Sequence, residues 1–283
     1  MSGWDVARRR VADGLKRRAD SLPGHGWRRA HELDLATQTL ALGAQQVLCT
    51  APLLVAASAV VQRAGGRGMG GFVAHILGLN GTAAGAVTAL FQSSSTVDMT
   101  ELVIGLMVAV VFGTGVAATQ QRGYEMIWSR PRSGLRSTLR RLLWVIGLLA
   151  YLVVLWYAGR LGHDINRWAH VGLPVRAVAQ FVLSLLFYWW SQHLLLSGRI
   201  RWRSLFPGAV CMTLGTTVLV MVSGVVLPGQ IAEAVNDYGP VGATLILSIW
   251  LVVLSGVIFG GSLLGAVVVE RHQAKAHRRQ QVA

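Results

Sequence analysis

Six long apolar runs without a single Asp, Glu, Lys or Arg divide this chain: Ala36–Val61, Leu102–Gln121, Leu142–Gly159, Ala177–Ser197, Ser204–Leu227 and Pro240–Val269. A helix of a soluble domain hides one apolar stripe and leaves the rest polar. Runs this uniformly apolar need an apolar solvent. About 20 mostly apolar residues carry a helix across a bilayer. Only helices and closed barrels satisfy the whole backbone there without water. The fold class expected is therefore all-α, a polytopic membrane helix bundle of six transmembrane helices. Only 13% of the 283 residues are charged, roughly half the share of an ordinary soluble domain.

The charges that remain set the orientation. The N-terminal arm carries Arg8, Arg9, Arg10, Lys16, Arg17, Arg18, Arg28 and Arg29. The loop after the second run carries Arg122, Arg130, Arg132, Arg136, Arg140 and Arg141, and the loop after the fourth carries Arg199, Arg201 and Arg203. The tail adds Arg271, Lys275, Arg278 and Arg279, which leaves Arg63, Arg67, Arg160, Arg167 and Arg176 for the other side. Cytoplasmic loops hold the excess of Lys and Arg, so both termini are expected in the cytoplasm. This topology accounts for most of the net charge of +14 without nucleic acid as a partner. An anionic lipid surface is the partner that such a face attracts.

The expected organisation is a basic cytoplasmic arm at 1–33, a membrane domain at 34–271 and a basic cytoplasmic tail at 272–283. The first run follows a long charged arm and is too long for a cleaved signal, so it is expected to remain as an anchor. Glu270 and Arg271 mark where the last span leaves the hydrocarbon. The charge-free stretch Met69–Ser95 would reverse every later loop if it spanned. It reads as an external amphipathic or re-entrant segment, with Asn80 capping a short helix whose apolar face carries Ala83, Ala86, Val87, Leu90 and Phe91. Aromatics near the span ends, among them Trp144, Trp156, Tyr157, Trp189, Trp190 and Trp202, fit an interfacial belt.

In the last run, Gly256 and Gly260 are four apart, as are Gly261 and Gly265. Small residues at that spacing let membrane helices approach closely. Packing within the bundle is the expected role, ahead of a pore lining or a homo-oligomer contact. Cys49 and Cys211 both sit in apolar runs and read as buried thiols, since free Cys is among the most buried residue types.

The chemistry-bearing residues are sparse. His163, Asp164 and His170 share one external loop, and two His with one Asp suit a metal. No further ligand stands near them in sequence, so a solvated loop is the reading. Ser93–Ser95 lie beside Asp98 and Glu101 without a nearby His, which suits a polar helix start rather than a nucleophile. No Walker loop, nucleophile elbow or dinucleotide fingerprint occurs. The chain is expected to be no enzyme, with no cofactor and no metal. Within the spans, Thr37, Gln38, Thr39, Gln45, Gln46 and Thr50 in the first and Thr213, Thr216 and Thr217 in the fifth read as interhelical hydrogen-bond partners.

Three stretches resemble one family. "DYGPVGATLILSIWLVVLSGVIFGGSLLGA" resembles the last span of the YihY/BrkB inner-membrane proteins, once mislabelled ribonuclease BN, with Tyr238, Gly239, Gly242, Ala243 and Trp250 in its pattern. "RIRWRSLFPGAV" resembles the entry to the family's fifth span, with Trp202, Pro207 and Gly208. "YEMIWSRPRSGLRSTLRRLLWVIGLL" resembles its second cytoplasmic loop and third span, with Tyr124, Trp128, Pro131 and Arg136, and Asp34 stands where the family often has an acid. The family's last span usually ends Gly-Ala-Glu-Leu-Asn, whereas this chain reads Gly261-Ser262-Leu263-Leu264-Gly265. The resemblance implies a multi-pass protein of the bacterial inner membrane, concerned with envelope integrity through transport or lipid translocation. A non-transporting scaffold for envelope partners is the alternative, and a membrane-bound ribonuclease ranks last.

Overall fold

The computed structural model describes residues 28–63, 85, 99–131, 134, 137–166 and 172–282. After a short helical turn at 28–32 come six long helices: α1 (Leu35–Arg63), α2 (Met99–Ile127), α3 (Ser137–Asn166), α4 (Gly172–Leu195), α5 (Trp202–Tyr238) and α6 (Pro240–Val282). No strand occurs among the described residues. The shortest of the six, α4, has 24 residues, a length of about 36 Å at 1.5 Å per residue, more than the roughly 30 Å of bilayer hydrocarbon. By length and composition together, three helical stretches among the described residues suit a crossing: Ser137–Leu155, Trp202–Tyr238 and Val241–Gln273.

Each helix packs on the next in sequence, and α6 returns to α1, so the bundle closes on itself, with α2 also touching α4 and α6. Successive helices run antiparallel. Arg29 before α1, Ile127 ending α2 and Glu270 late in α6 come together at one end, and Gln192 near the end of α4 lies against Gly208 early in α5 at that same end. The core between the helices holds Leu42, Tyr124, Ile127, Leu195, Leu205, Met212 and Phe259.

The burial pattern is the reverse of a water-soluble bundle. Val225 is 82% exposed and Met221 67%, whereas Gln192 and Ser191 are fully buried. Water would select against both, because apolar area left exposed forfeits burial energy and buried polar groups require partners. An apolar solvent favours both.

The closest contact is between α5 and α6. A Cβ on Gly265 would strike the backbone of Gly208, and one on Gly261 would come within 2.8 Å of Met212 N. At these two glycines the helix backbones approach closely, an approach that small residues permit. Gly256 and Gly260 do something else. A Cβ on Gly260 meets nothing within 4 Å, and one on Gly256 meets only Thr39 at 3.5 Å. The two glycine pairs thus serve different faces.

The turn from α5 to α6 is a second place where glycine is required. Gly239 has φ 64° and ψ −152°, a region essentially reserved for glycine. Its N–H closes α5 on the Val235 carbonyl at 2.9 Å. Gly242 passes so near the Ala234 carbonyl that no Cβ fits.

Helix ends differ from those expected from hydropathy. α5 continues past Leu227 to Tyr238, and α6 continues past Glu270 to Val282. Charged residues have adequate helix propensity, so the loss of apolar character ends the buried run without ending the helix. The helix accordingly runs on from the last apolar stretch through Val282. Trp144 is core rather than belt: it is 3% exposed, and its Nε1 donates to Ser191 Oγ at 2.7 Å. Met69–Ser95, apart from Gly85, lies outside the described residues, as do Arg136, Arg167 and His170.

Candidate functional site

Polar chemistry concentrates at the end of the bundle where α1 and α5 begin and α2 and α4 stop. Two stops there use the same device. Ser129 after α2 and Ser197 after α4 adopt positive φ, 49° and 64°. The next residues fold back, Arg130 N–H to the Glu125 carbonyl at 2.8 Å and Gly198 N–H to the His193 carbonyl at 3.0 Å. This is the Schellman closure of a helix end. Arg199 then donates to the Pro131 carbonyl at 2.7 Å and ties the two loops together.

Inside this end lies a buried hydrogen-bond network. One turn of α2 places Gln120, Gln121, Tyr124 and Glu125 in the core, each at most 4% exposed. Gln120 Nε2 donates to the Tyr124 hydroxyl at 2.8 Å and Gln121 Nε2 to Glu125 Oε1 at 3.0 Å, both at the (i, i+4) spacing of one helix face. Arg141 of α3 donates from Nε to Gln121 Oε1 at 3.0 Å. The Tyr124 ring meets Phe259 of α6 edge to face, with centroids 6.2 Å apart. Tyr188 of α4 shares a 3.0 Å hydrogen bond with Thr216 of α5. Among the described residues, two buried atoms beside this network have no hydrogen-bond partner, Gln192 Oε1 and His193 Nδ1.

The polar residues expected within the spans divide. Thr216 bonds across to α4, and Gln46 Oε1 accepts from Ser255 Oγ of α6 at 3.0 Å. Thr50, Thr213 and Thr217 instead donate to the carbonyls four residues back on their own helices, at 2.7, 2.8 and 2.8 Å. A threonine hydroxyl reaches that carbonyl without any neighbour, so hydropathy alone cannot tell the two uses apart.

Two clefts open at the same end, on either side of α6. The first, about 370 Å³, lies between α6 and the approach to α1. His31, Asp34 and Thr39 line it with Gly256, Phe259 and Gly260. Phe259 stands between this cleft and the buried network, because it lines the one and its ring meets Tyr124 of the other. The second cleft, about 460 Å³, lies between the start of α5 and the end of α6, with Arg203, Ser204, His272 and Gln273 among its walls.

The structure scatters the residues that the sequence singles out. Tyr124 is in the network, and Trp128 beside it donates from Nε1 to Ser262 Oγ at 3.3 Å. Asp34, Gly256 and Gly260 are in the first cleft, and Asp34 has φ 46°, which turns the chain from the short helix into α1. Pro207 lines the second cleft. Trp202 packs against Trp189, accepts that ring's N–H on its carbonyl at 2.8 Å and stacks on His193. Pro131 serves through its carbonyl. Tyr238 and Gly239 form the turn at the opposite end, where Tyr238 is 69% exposed. Gln120, Gln121, Glu125 and Arg141 do not stand out in the sequence. Two of them close an apolar run and the others look like loop charges; only the spacing Gln121–Glu125 hints at a shared face.

Cys49 and Cys211 are free thiols, Cys49 buried. Among the described residues no group of three or more His, Cys, Asp or Glu is placed to hold a metal.

No curated protein and no solved structure gives a significant match to this sequence. The family model of virulence factor BrkB matches residues 46–283. That match covers most of the chain and five of its six helices in full, and with the long apolar helices it makes this a membrane protein. The chain belongs to the virulence factor BrkB family.

Proposed function

We propose that the protein crosses the bacterial inner membrane six times, with both termini in the cytoplasm, and supports envelope integrity by moving lipid along the α1–α6 face. The observation that carries this reading is the first cleft and the polar file that extends from it. His31 and Asp34 line it, Thr39 follows about one turn along α1, and the Gln46–Ser255 pair continues along the same two helices. A lipid headgroup that enters hydrocarbon must exchange its water for other hydrogen-bonding groups. A file of polar side chains at helical spacing supplies them, while the acyl chains stay in the bilayer. In this reading the protein is not an enzyme, needs no cofactor, and has lipid rather than nucleic acid as its partner.

The test is transbilayer movement of a fluorescent phospholipid in proteoliposomes. The informative variant is Gly260→Leu. Its added side chain enters open space, so the bundle should fold while the cleft fills. Movement is expected in the native protein and a loss of about tenfold, some 1.4 kcal/mol, in the variant. Equal rates would place the route elsewhere.

A second reading is a non-transporting scaffold for envelope partners or a homo-oligomer. The Tyr124–Phe259 contact favours it, since it closes the polar core against the cleft. Absence of lipid movement in every envelope lipid composition, with partners captured by crosslinking, would establish that reading instead.

A further inference from the structure

The second cleft points to a ligand of its own. We propose that the space between the start of α5 and the end of α6 binds an anionic glycerophospholipid, with its phosphate at Arg203 and its acyl chains against Val268, Val269 and Pro207. This proposal does not depend on lipid movement: a lipid can be held here whether or not another is carried along α1.

The argument is one of charge and zoning. The cleft has two kinds of wall. Pro207, Val268 and Val269 are its apolar side, and Arg203, Ser204, His272 and Gln273 its polar side. The boundary between them falls where the sequence of α6 passes from Val269 to charge at Glu270 and Arg271, the height at which a phosphate sits beside hydrocarbon. Among the described residues no acid lines the cleft. The nearest acid in sequence, Glu270, forms its ion pair with Arg29 and is thereby drawn toward α1. Arg203 is exposed and makes no ion pair or hydrogen bond with the described residues. The Nδ1–H of His272 donates to the Val268 carbonyl at 2.9 Å, which fixes the ring beside the cleft; its Nε2 donates to a phosphate in the imidazolium form. The residue before α5 is Arg201, which gives no side-chain cap, and no acid stands in the first turn. The helix N-terminus therefore adds to the positive potential around Arg203 rather than being offset.

Basic pockets between membrane helices on the cytoplasmic side suit acidic headgroups. A guanidinium matches phosphate in shape as well as charge, with parallel N–H donors. Free phosphate shares that chemistry, but it has no use for an apolar wall. The amphiphile uses both walls, and the commitment is to it.

Native mass spectrometry of the full chain in detergent, with phosphatidylglycerol and phosphatidylcholine added in turn, tests the site. Phosphatidylglycerol should be retained more strongly. Arg203→Gln should weaken it about fivefold and His272→Gln about twofold, the scale expected for single cationic contacts with anionic lipid, with phosphatidylcholine binding and melting temperature unchanged. Arg130→Gln is the control, because Arg130 is exposed at the same end but lies outside the cleft. An equal loss for Arg130→Gln and Arg203→Gln would show diffuse attraction and overturn the site. Displacement of phosphatidylglycerol by excess inorganic phosphate would assign the cleft to the free anion and overturn the lipid. His272→Gln sits at an exposed helix position, so the question stays open to measurement even if Arg203→Gln folds poorly.

Discussion

Single residues decide whether this bundle closes. Gly239 holds a backbone conformation that other residues enter only at a cost of about 1–3 kcal/mol, so Gly239→Ala should lower the thermal midpoint in detergent by that equivalent. Gly265 and Gly260 make an internal comparison. Gly265→Leu drives a side chain into the Gly208 backbone and should cost at least the roughly 1–3 kcal/mol of an overpacked core. Gly260→Leu should leave the melting temperature nearly unchanged. If both behave alike, the assignment of the two glycine pairs to different faces is wrong. Tyr124→Phe removes the hydroxyl that Gln120 Nε2 uses. A buried amide then lacks its partner, at about 1–3 kcal/mol, which the same melting experiment would read.

At the scale of elements, the helix ends carry more information than the helix middles. α2 stops on a left-handed serine, and Arg29 seals that stop by donating from Nη2 to the Ile127 carbonyl at 3.1 Å and to Ser129 Oγ at 3.4 Å while pairing with Glu270. A cation at a helix C-terminus satisfies carbonyls that lack intrahelical donors. Arg29→Ala should therefore loosen the attachment of the N-terminal segment to α2 and α6. Global stability should fall by only about 1 kcal/mol or less, since such partly exposed pairs are weak. Limited proteolysis should cut near residue 28 several times faster in the variant. Unchanged cleavage would mean that the α1 approach is held by Leu33 and Leu35 packing alone.

For the whole molecule, the decisive issue is which solvent lies on each side. The exposed valines and leucines around the bundle and the glutamines within it define a membrane-facing exterior. Reporter fusions at Ser129 and Ser197 should report the cytoplasm, and one at His163 the opposite side, as the distribution of Arg predicts. A cytoplasmic reporter at all three would invert the proposed topology. The two clefts also belong to this scale. Both flank α6 at the arginine-rich end, so the acyl-chain and headgroup chemistry proposed for each depends on that end lying at the membrane surface.

Hydropathy and charge were enough to identify the helices, their approximate extents and the end of the bundle where the cations gather, and the quoted motifs carried the family resemblance. The reason is that a bilayer tests each segment nearly alone: every backbone group must be satisfied within its own helix, and every charge must find water. Small-residue spacing raised the expectation of close packing for the last helix, but it does not tell that Gly261 and Gly265 meet α5 while Gly256 and Gly260 leave a cleft. The buried Gln121–Glu125–Arg141 chain, the core position of Trp144 and both clefts were likewise decided only by tertiary structure. Each depends on which faces of different helices meet, and that is settled by packing between elements distant in sequence, which no local pattern of residues encodes.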